Sequence, residues 1–168
     1  SMRSLYAKVL ILGYGFWFWA CGSSQPVPAD APFLHGLEVA RWAETASVIR
    51  ERVHSVAGWQ WVTVLRDQNG LETTIVVRHV DEEYHLELDL NGRMQSISRI
   101  YPIAQLDSAV SQLERMYREP DKVMQRPTYQ MRRWEVYPEG YGVWIEMMIT
   151  KEFFSIQAVY KNGSQKNG

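Results

Sequence analysis

From residue 37 to residue 56 the apolar side chains recur at steps of three and four: Val39, Trp42, Ala43, Ala46, Ile49, Val53 and Val56. That spacing collects them on one face of a helix, leaves Arg41, Glu44, Arg50, Glu51 and Arg52 largely on the other, and lets Gly58 stop it. Four strands are predicted next. Trp59–Arg66 and Leu71–Val80 flank Asp67-Gln68-Asn69-Gly70, which reads as a turn. Glu83–Leu90 sets Tyr84, Leu86, Leu88 and Leu90 against His85, Glu87 and Asp89 in strict alternation. Asn91-Gly92 is a strong hairpin signal, and Arg93–Tyr101 returns from it.

Pro102 opens a second helical stretch, with Leu106, Ala109, Val110, Leu113 and Tyr117 on one face. Glu119-Pro120 ends it, because proline disfavours helix in the residue before it. Three strands then follow, Tyr129–Tyr137, Gly142–Thr150 and Phe153–Tyr160, and the tail 162–168 is polar. The expected fold is α+β: two helices packed on a largely antiparallel sheet of about seven strands, in the order helix, meander, helix, meander. The two helices start near residues 39 and 103, each ahead of a meander, so a unit is repeated in architecture without a shared residue motif. The sheet face away from the helices is then either wet or a binding surface.

A chain of 168 residues with 46% hydrophobic and 22% charged side chains suits one globular domain, and not a disordered chain or a polytopic membrane protein. Lys and Arg number 18 against 19 Asp and Glu, a net charge of -1, so no overall positive field invites nucleic acid. One cysteine excludes an internal disulfide and any zinc site built from cysteines.

The N-terminus changes the picture most. Ser1 reads as an expression leftover ahead of Met2. Arg3 and Lys8 precede Val9–Ala20, twelve uncharged residues. As a helix they cover roughly 18 Å, too short for a hydrocarbon core of about 30 Å. A basic opening, a short apolar run and a small residue describe a secretory signal peptide. The single cysteine stands where the run stops, in Phe18-Trp19-Ala20-Cys21-Gly22, ahead of the polar, Pro-rich stretch Ser23–Pro32.

This arrangement resembles a bacterial lipoprotein precursor. Ala20 and Cys21 match the lipobox; Phe18 and Trp19 depart from the Leu and small residue usual there. The resemblance implies cleavage before Cys21 and acylation of that cysteine, palmitate included. Gly22 in place of Asp implies the periplasmic face of the outer membrane. Acyl chains contribute about 0.8 kcal/mol per buried methylene, enough for stable anchoring when several act together. The expected division is therefore 1–20 signal peptide, 21–36 lipidated tether, 37–161 a single α+β domain and 162–168 tail. The alternatives are a plain signal anchor, or an ordinary buried Cys21 with residues 9–20 forming a core helix or strand.

The body lacks a Gly-x-Ser-x-Gly elbow, a phosphate-binding loop and a dinucleotide fingerprint. His79 and His85 sit on consecutive strands and could share a metal, but no third or fourth ligand suggests itself. Glu87 and Asp89 share a strand face at about 6.5–7 Å, a spacing open to acid catalysis, with no apolar pocket to tune either. His35 and His54 have no evident partner. No enzyme activity, metal or cofactor is expected.

The densest unusual segment is Arg132–Trp144, which gathers Trp134, Tyr137, Glu139, Tyr141 and Trp144 around a Pro138–Gly142 turn. Trp, Tyr and Arg dominate binding hot spots, so these five residues are the expected partner-binding set, against the alternative that the tryptophans fill the core. Adjacent Arg132 and Arg133 must point to opposite sheet faces. The expected function is a lipid-anchored periplasmic binding protein without catalysis. Its most concrete forms are an immunity or inhibitor protein against an envelope-targeting effector, or an accessory subunit of an envelope complex. A carrier of an apolar ligand, with Leu86, Leu88, Ile145 and Met147 lining a cavity, and a cell-wall hydrolase using acidic residues are the alternatives.

Overall fold

A computed structural model describes residues 33–138 and 140–161. Helix α1 spans Ala46–Ser55 and is followed by β1 (Trp59–Arg66), β2 (Glu72–His79), β3 (Glu82–Leu88) and β4 (Met94–Pro102). A 3-10 turn, Ile103–Gln105, leads into α2 (Leu106–Tyr117), and then come β5 (Lys122–Gln125), β6 (Gln130–Val136), β7 (Gly142–Ile149) and β8 (Phe153–Lys161). The eight strands form one sheet in the order β1-β2-β3-β4-β8-β7-β6-β5, and every neighbouring pair is antiparallel. The fold is thus α+β, helix, meander, helix, meander. Two halves of one helix and four strands meet at the β4–β8 pair, and the strand order reads outward alike from that seam.

One sheet face is the core. Ile75, Leu86, Ile97, Ala158, Ile145 and Trp134 are direct cross-strand neighbours from β2 to β6 and none is more than 1% exposed. Ile49 and Val53 of α1 and Ala109 and Leu113 of α2 pack on that face.

The first helix is shorter than its periodicity predicts. Residues 37–45 form turns, with a bridge between Leu37 and Ala40 and a left-handed Ala43 at φ 63. Trp42 explains the departure: its ring stacks on Tyr160 at 5.7 Å, and its Nε1 donates to the Leu34 carbonyl at 2.8 Å. Val39 is buried as expected, but from a loop, and Ala40 is buried beside it. The packed body also includes residues ahead of the expected domain start at 37. Phe33, expected in the tether, is 1% exposed and meets Tyr84 edge-on at 5.7 Å, so the folded body reaches back to it. β5 was not predicted; its four residues are all exposed and carry no clear alternation.

Two hairpin turns share the pattern Asp-x-Asn-Gly. Asp67 Oδ1 accepts from the Asn69 and Leu71 amides, and Asp89 Oδ1 accepts from the Asn91 and Arg93 amides, at 2.8–3.0 Å. Gly70 and Gly92 take φ of 80 and 72 with open space where a Cβ would stand, so conformation and not crowding requires glycine there.

The β2–β3 turn has no such residue. Val80 holds φ 56 and is 70% exposed. A left-handed conformation costs a side-chain-bearing residue roughly 1–2 kcal/mol, and glycine returns roughly 0.5–1 kcal/mol in chain entropy. Val80→Gly is therefore expected to stabilise the fold by about 0.5 kcal/mol, read as a higher urea midpoint at unchanged slope. A lower midpoint would show that the turn is not strained.

Candidate functional site

The aromatic segment does not present its residues together. Strand alternation puts Trp134 on the helix side, where it is 1% exposed and its Nε1 donates to the Arg118 carbonyl at 3.0 Å. Trp134 is a core residue, and its expected role in partner binding is corrected. Trp144 stands on the opposite face, half-buried. Arg133 pairs with Glu146, two residues after Trp144, and Lys161 pairs with Gly142, two before it, so the two cations reach the indole from opposite ends. Arg133 Cζ lies 4.2 Å and Lys161 Nζ 4.1 Å from the ring. The indole is already engaged by the protein's own cations, so Trp144 is not a free stacking platform.

Tyr141 turns back onto the N-terminal segment. Its hydroxyl donates to the Leu34 carbonyl at 3.3 Å and lies 2.9 Å from His35 Nδ1, and its ring meets Tyr160 at 5.5 Å. It fastens Leu34 and His35 to the β6–β7 turn. Tyr137 is 36% exposed and remains available at the surface. Glu139 and Cys21 lie outside the described residues.

Tyr137 borders a surface groove of about 550 Å³ between the end of α2 and β6, whose lining includes Tyr117, Arg118, Trp134 and Val136. Arg118 caps α2 at φ 70. The Tyr117 hydroxyl is buried without a hydrogen-bond partner among the described residues, and burial raises its pKa from 10.0 to about 12.

Among the described residues, no helix or strand covers the second face of the sheet. Cross-strand neighbours there are His85, Ser98, Gln157, Glu146 and Arg133 in one row, and Glu87, Ser96, Val159, Trp144 and Glu135 in the next. Many of these polar groups engage one another. Arg133 Nε donates to Glu146 at 2.9 Å, Lys122 faces Glu135 at 3.9 Å, and Ser96 donates to Glu87 at 3.1 Å while accepting from Gln157 at 3.2 Å. Arg78 and then His85 hydrogen-bond Glu83 and hold its carboxyl below the ordinary 4.5.

A third row is apolar. Ile100, Ser155, Met148, Met131 and Met124 follow one another across β4, β8, β7, β6 and β5. Ile100 is 64% exposed, Met148 37% and Met124 36%. Sequence reasoning missed this row. The alternation that sets Met148 opposite Met147 is readable, but the alignment of four separate side chains exists only once the register is known.

Other sequence candidates separate. His79 lies on the core side against Trp59 at 4.8 Å, whereas His85 lies on the open face. Asp89 is occupied in its hairpin turn, apart from Glu87 on β3. Leu86, Ile145 and Met147 are packed in the core with 0% exposure. Among the described residues, no three His, Cys, Asp or Glu side chains gather as a metal site, and no helix is long and apolar enough to cross a membrane.

These features define an open-faced α+β protein with a paired polar surface beside an apolar one. No protein-family model, curated protein or solved structure matches the chain.

Tyr117 yields a pH prediction. Its folded-state pKa is raised, so its contribution is complete below 10 and is lost as pH rises toward 12. Allowing for the ring's partial exposure, the loss is about 1 kcal/mol. Urea unfolding at mildly and strongly alkaline pH should show a smaller alkaline loss for Tyr117→Phe than for the parent. Equal losses would place the hydroxyl in water.

Proposed function

We propose that the protein is a non-catalytic binding protein of the bacterial envelope, tethered by acyl chains on Cys21 at the periplasmic face of the outer membrane. In its most concrete form it is an immunity or inhibitor protein against an envelope-targeting effector, or an accessory subunit of an envelope complex. The observation that carries the binding role is the uncovered sheet face, which sets exposed Ile100, Met148 and Met124 beside a polar field. Isolated exposed apolar residues are ordinary, but an aligned set on one face marks a contact surface.

The charge arrangement supports binding over acid catalysis. A general acid needs a carboxyl raised toward neutral pH, whereas the Glu83 carboxyl is lowered and Glu146 and Glu135 face cations. In this reading the twelve residues 21–32 link the anchor at Cys21 to Phe33, which is packed in the core. Twelve residues span at most about 40 Å, which sets the greatest distance of the body from the bilayer under this proposal.

The test is the intact mass of protein extracted by detergent from bacterial membranes. The expected product begins at Cys21 and carries the mass of its acyl chains, and Cys21→Ser moves the protein to the soluble fraction. A membrane-associated product that retains residues 1–20 with an unmodified thiol would overturn the anchor.

A further inference from the structure

We propose that the apolar row on the open face is the docking site for an amphipathic helix of a partner protein, with acidic residues at the end that meets β5. This deepens the binding role above and rests on it. Four features define the occupant.

The row is linear and of helical length. From Ile100 on β4 to Met124 on β5 it crosses four strand spacings, about 19 Å. The apolar positions i, i+4, i+7 and i+11 of a helix cover about 16 Å. Lying across the strands, such a helix places one apolar side chain near each of Ile100, Met148, Met131 and Met124.

The surface is also adaptable. Three of the four apolar side chains are methionines, unbranched and polarisable, which reshape around a partner's side chains. Ser155, between Ile100 and Met148, leaves a low point in the row for a larger side chain to enter.

Charge gives the row a direction. Lys122 and Met124 occupy the same side of β5, and Arg126 follows at the next alternate position. Lys122 is 65% exposed and its ammonium stands as far as 3.9 Å from Glu135, a loose pair open to a further carboxylate. Arg126 bonds the neighbouring Gln125 carbonyl and has no carboxylate partner among the described residues. The bases at this end call for acids on the helix, whereas Arg133 beside the row is already matched by Glu146.

Finally, the row differs from the rest of its face. The two polar rows to one side of it are tied together by Glu87, Ser96, Gln157, Arg133 and Glu146, so they fit the polar rim along that side of an apolar contact.

The experiment titrates the full chain, with labelled methionine methyl groups, against a synthetic helical peptide of about 14 residues bearing leucine at i, i+4, i+7 and i+11 and glutamate at one end. The Met124, Met131 and Met148 methyl resonances should shift, while those of buried Met94 and Met147 stay in place. Met148→Glu and, separately, Met131→Glu should each weaken binding at least about tenfold. Unchanged Met94 and Met147 resonances certify that each variant is folded. Replacing the peptide's glutamates by lysines should weaken binding to a similar degree.

Absence of methyl shifts, or equal affinity for the lysine peptide, overturns the proposal. So does a dimer in light scattering that Met148→Glu disperses, which assigns the row to a second copy. Capture of unacylated Cys21→Ser protein by phosphatidylglycerol vesicles, abolished by Met148→Glu, overturns it in favour of a lipid surface. An acylated Cys21 together with a peptide that does not dock rejects the row alone and leaves the anchored reading standing.

Discussion

Two helices cannot cover eight strands, and that mismatch organises the molecule. Eight strands at about 4.8 Å spacing present a face about 34 Å wide. Two helices about 10 Å across cover little more than half of it. The segment 33–45 supplies part of the difference, with Phe33, Leu37, Val39 and Ala40 buried against the sheet although none is in a helix. The β5 end stays bare: Val123 shares the core side with Arg132 and Met147, yet it is 58% exposed. With both helices committed to one side, nothing among the described residues covers the other.

The same constraint shows where sequence patterns carry information and where they stop. Alternation in Glu83–Leu90 and the Asn-Gly turns were enough to place β3, its hairpin and the antiparallel order. Helical spacing before residue 46 misled, because Val39, Trp42 and Ala43 satisfy a helical pattern while serving a turn. Trp42 is held by Tyr160, more than a hundred residues away in the chain, and no local rule contains that contact. β5 lay in a polar stretch between Pro120 and Pro127, and only pairing with β6 makes it a strand.

Parity decided the candidate site. Strand alternation says that Trp134 and Glu135 face opposite ways, but not which of them meets the helices. The register answers by aligning Trp134 with Ile145 and Ala158, and Glu135 with Trp144 and Val159. An apparent cluster of aromatic residues is thereby divided between the core, a cation-flanked position on the open face, a clasp on the N-terminal segment and one exposed tyrosine. The apolar row arose in the same way: Ile100, Met148, Met131 and Met124 are spread over 49 positions in the chain, from 100 to 148, and become neighbours through four pairings. The proposed binding role rests on this polar field with an apolar row beside it.

The division of the sheet into a packed and an open face can be read from its methionines. Met147 and Met148 are adjacent in sequence and opposite in facing, at 0% and 37% exposure, and Met94 at 1% provides a second buried reference. Oxidation of a thioether by peroxide tracks its access to solvent. Peptide mass spectrometry after brief peroxide treatment of the native protein should find Met148 and Met124 converted to sulfoxide at least about tenfold faster than Met147 and Met94. Equal rates at Met147 and Met148 would contradict the arrangement of the two faces on which the proposed binding surface depends.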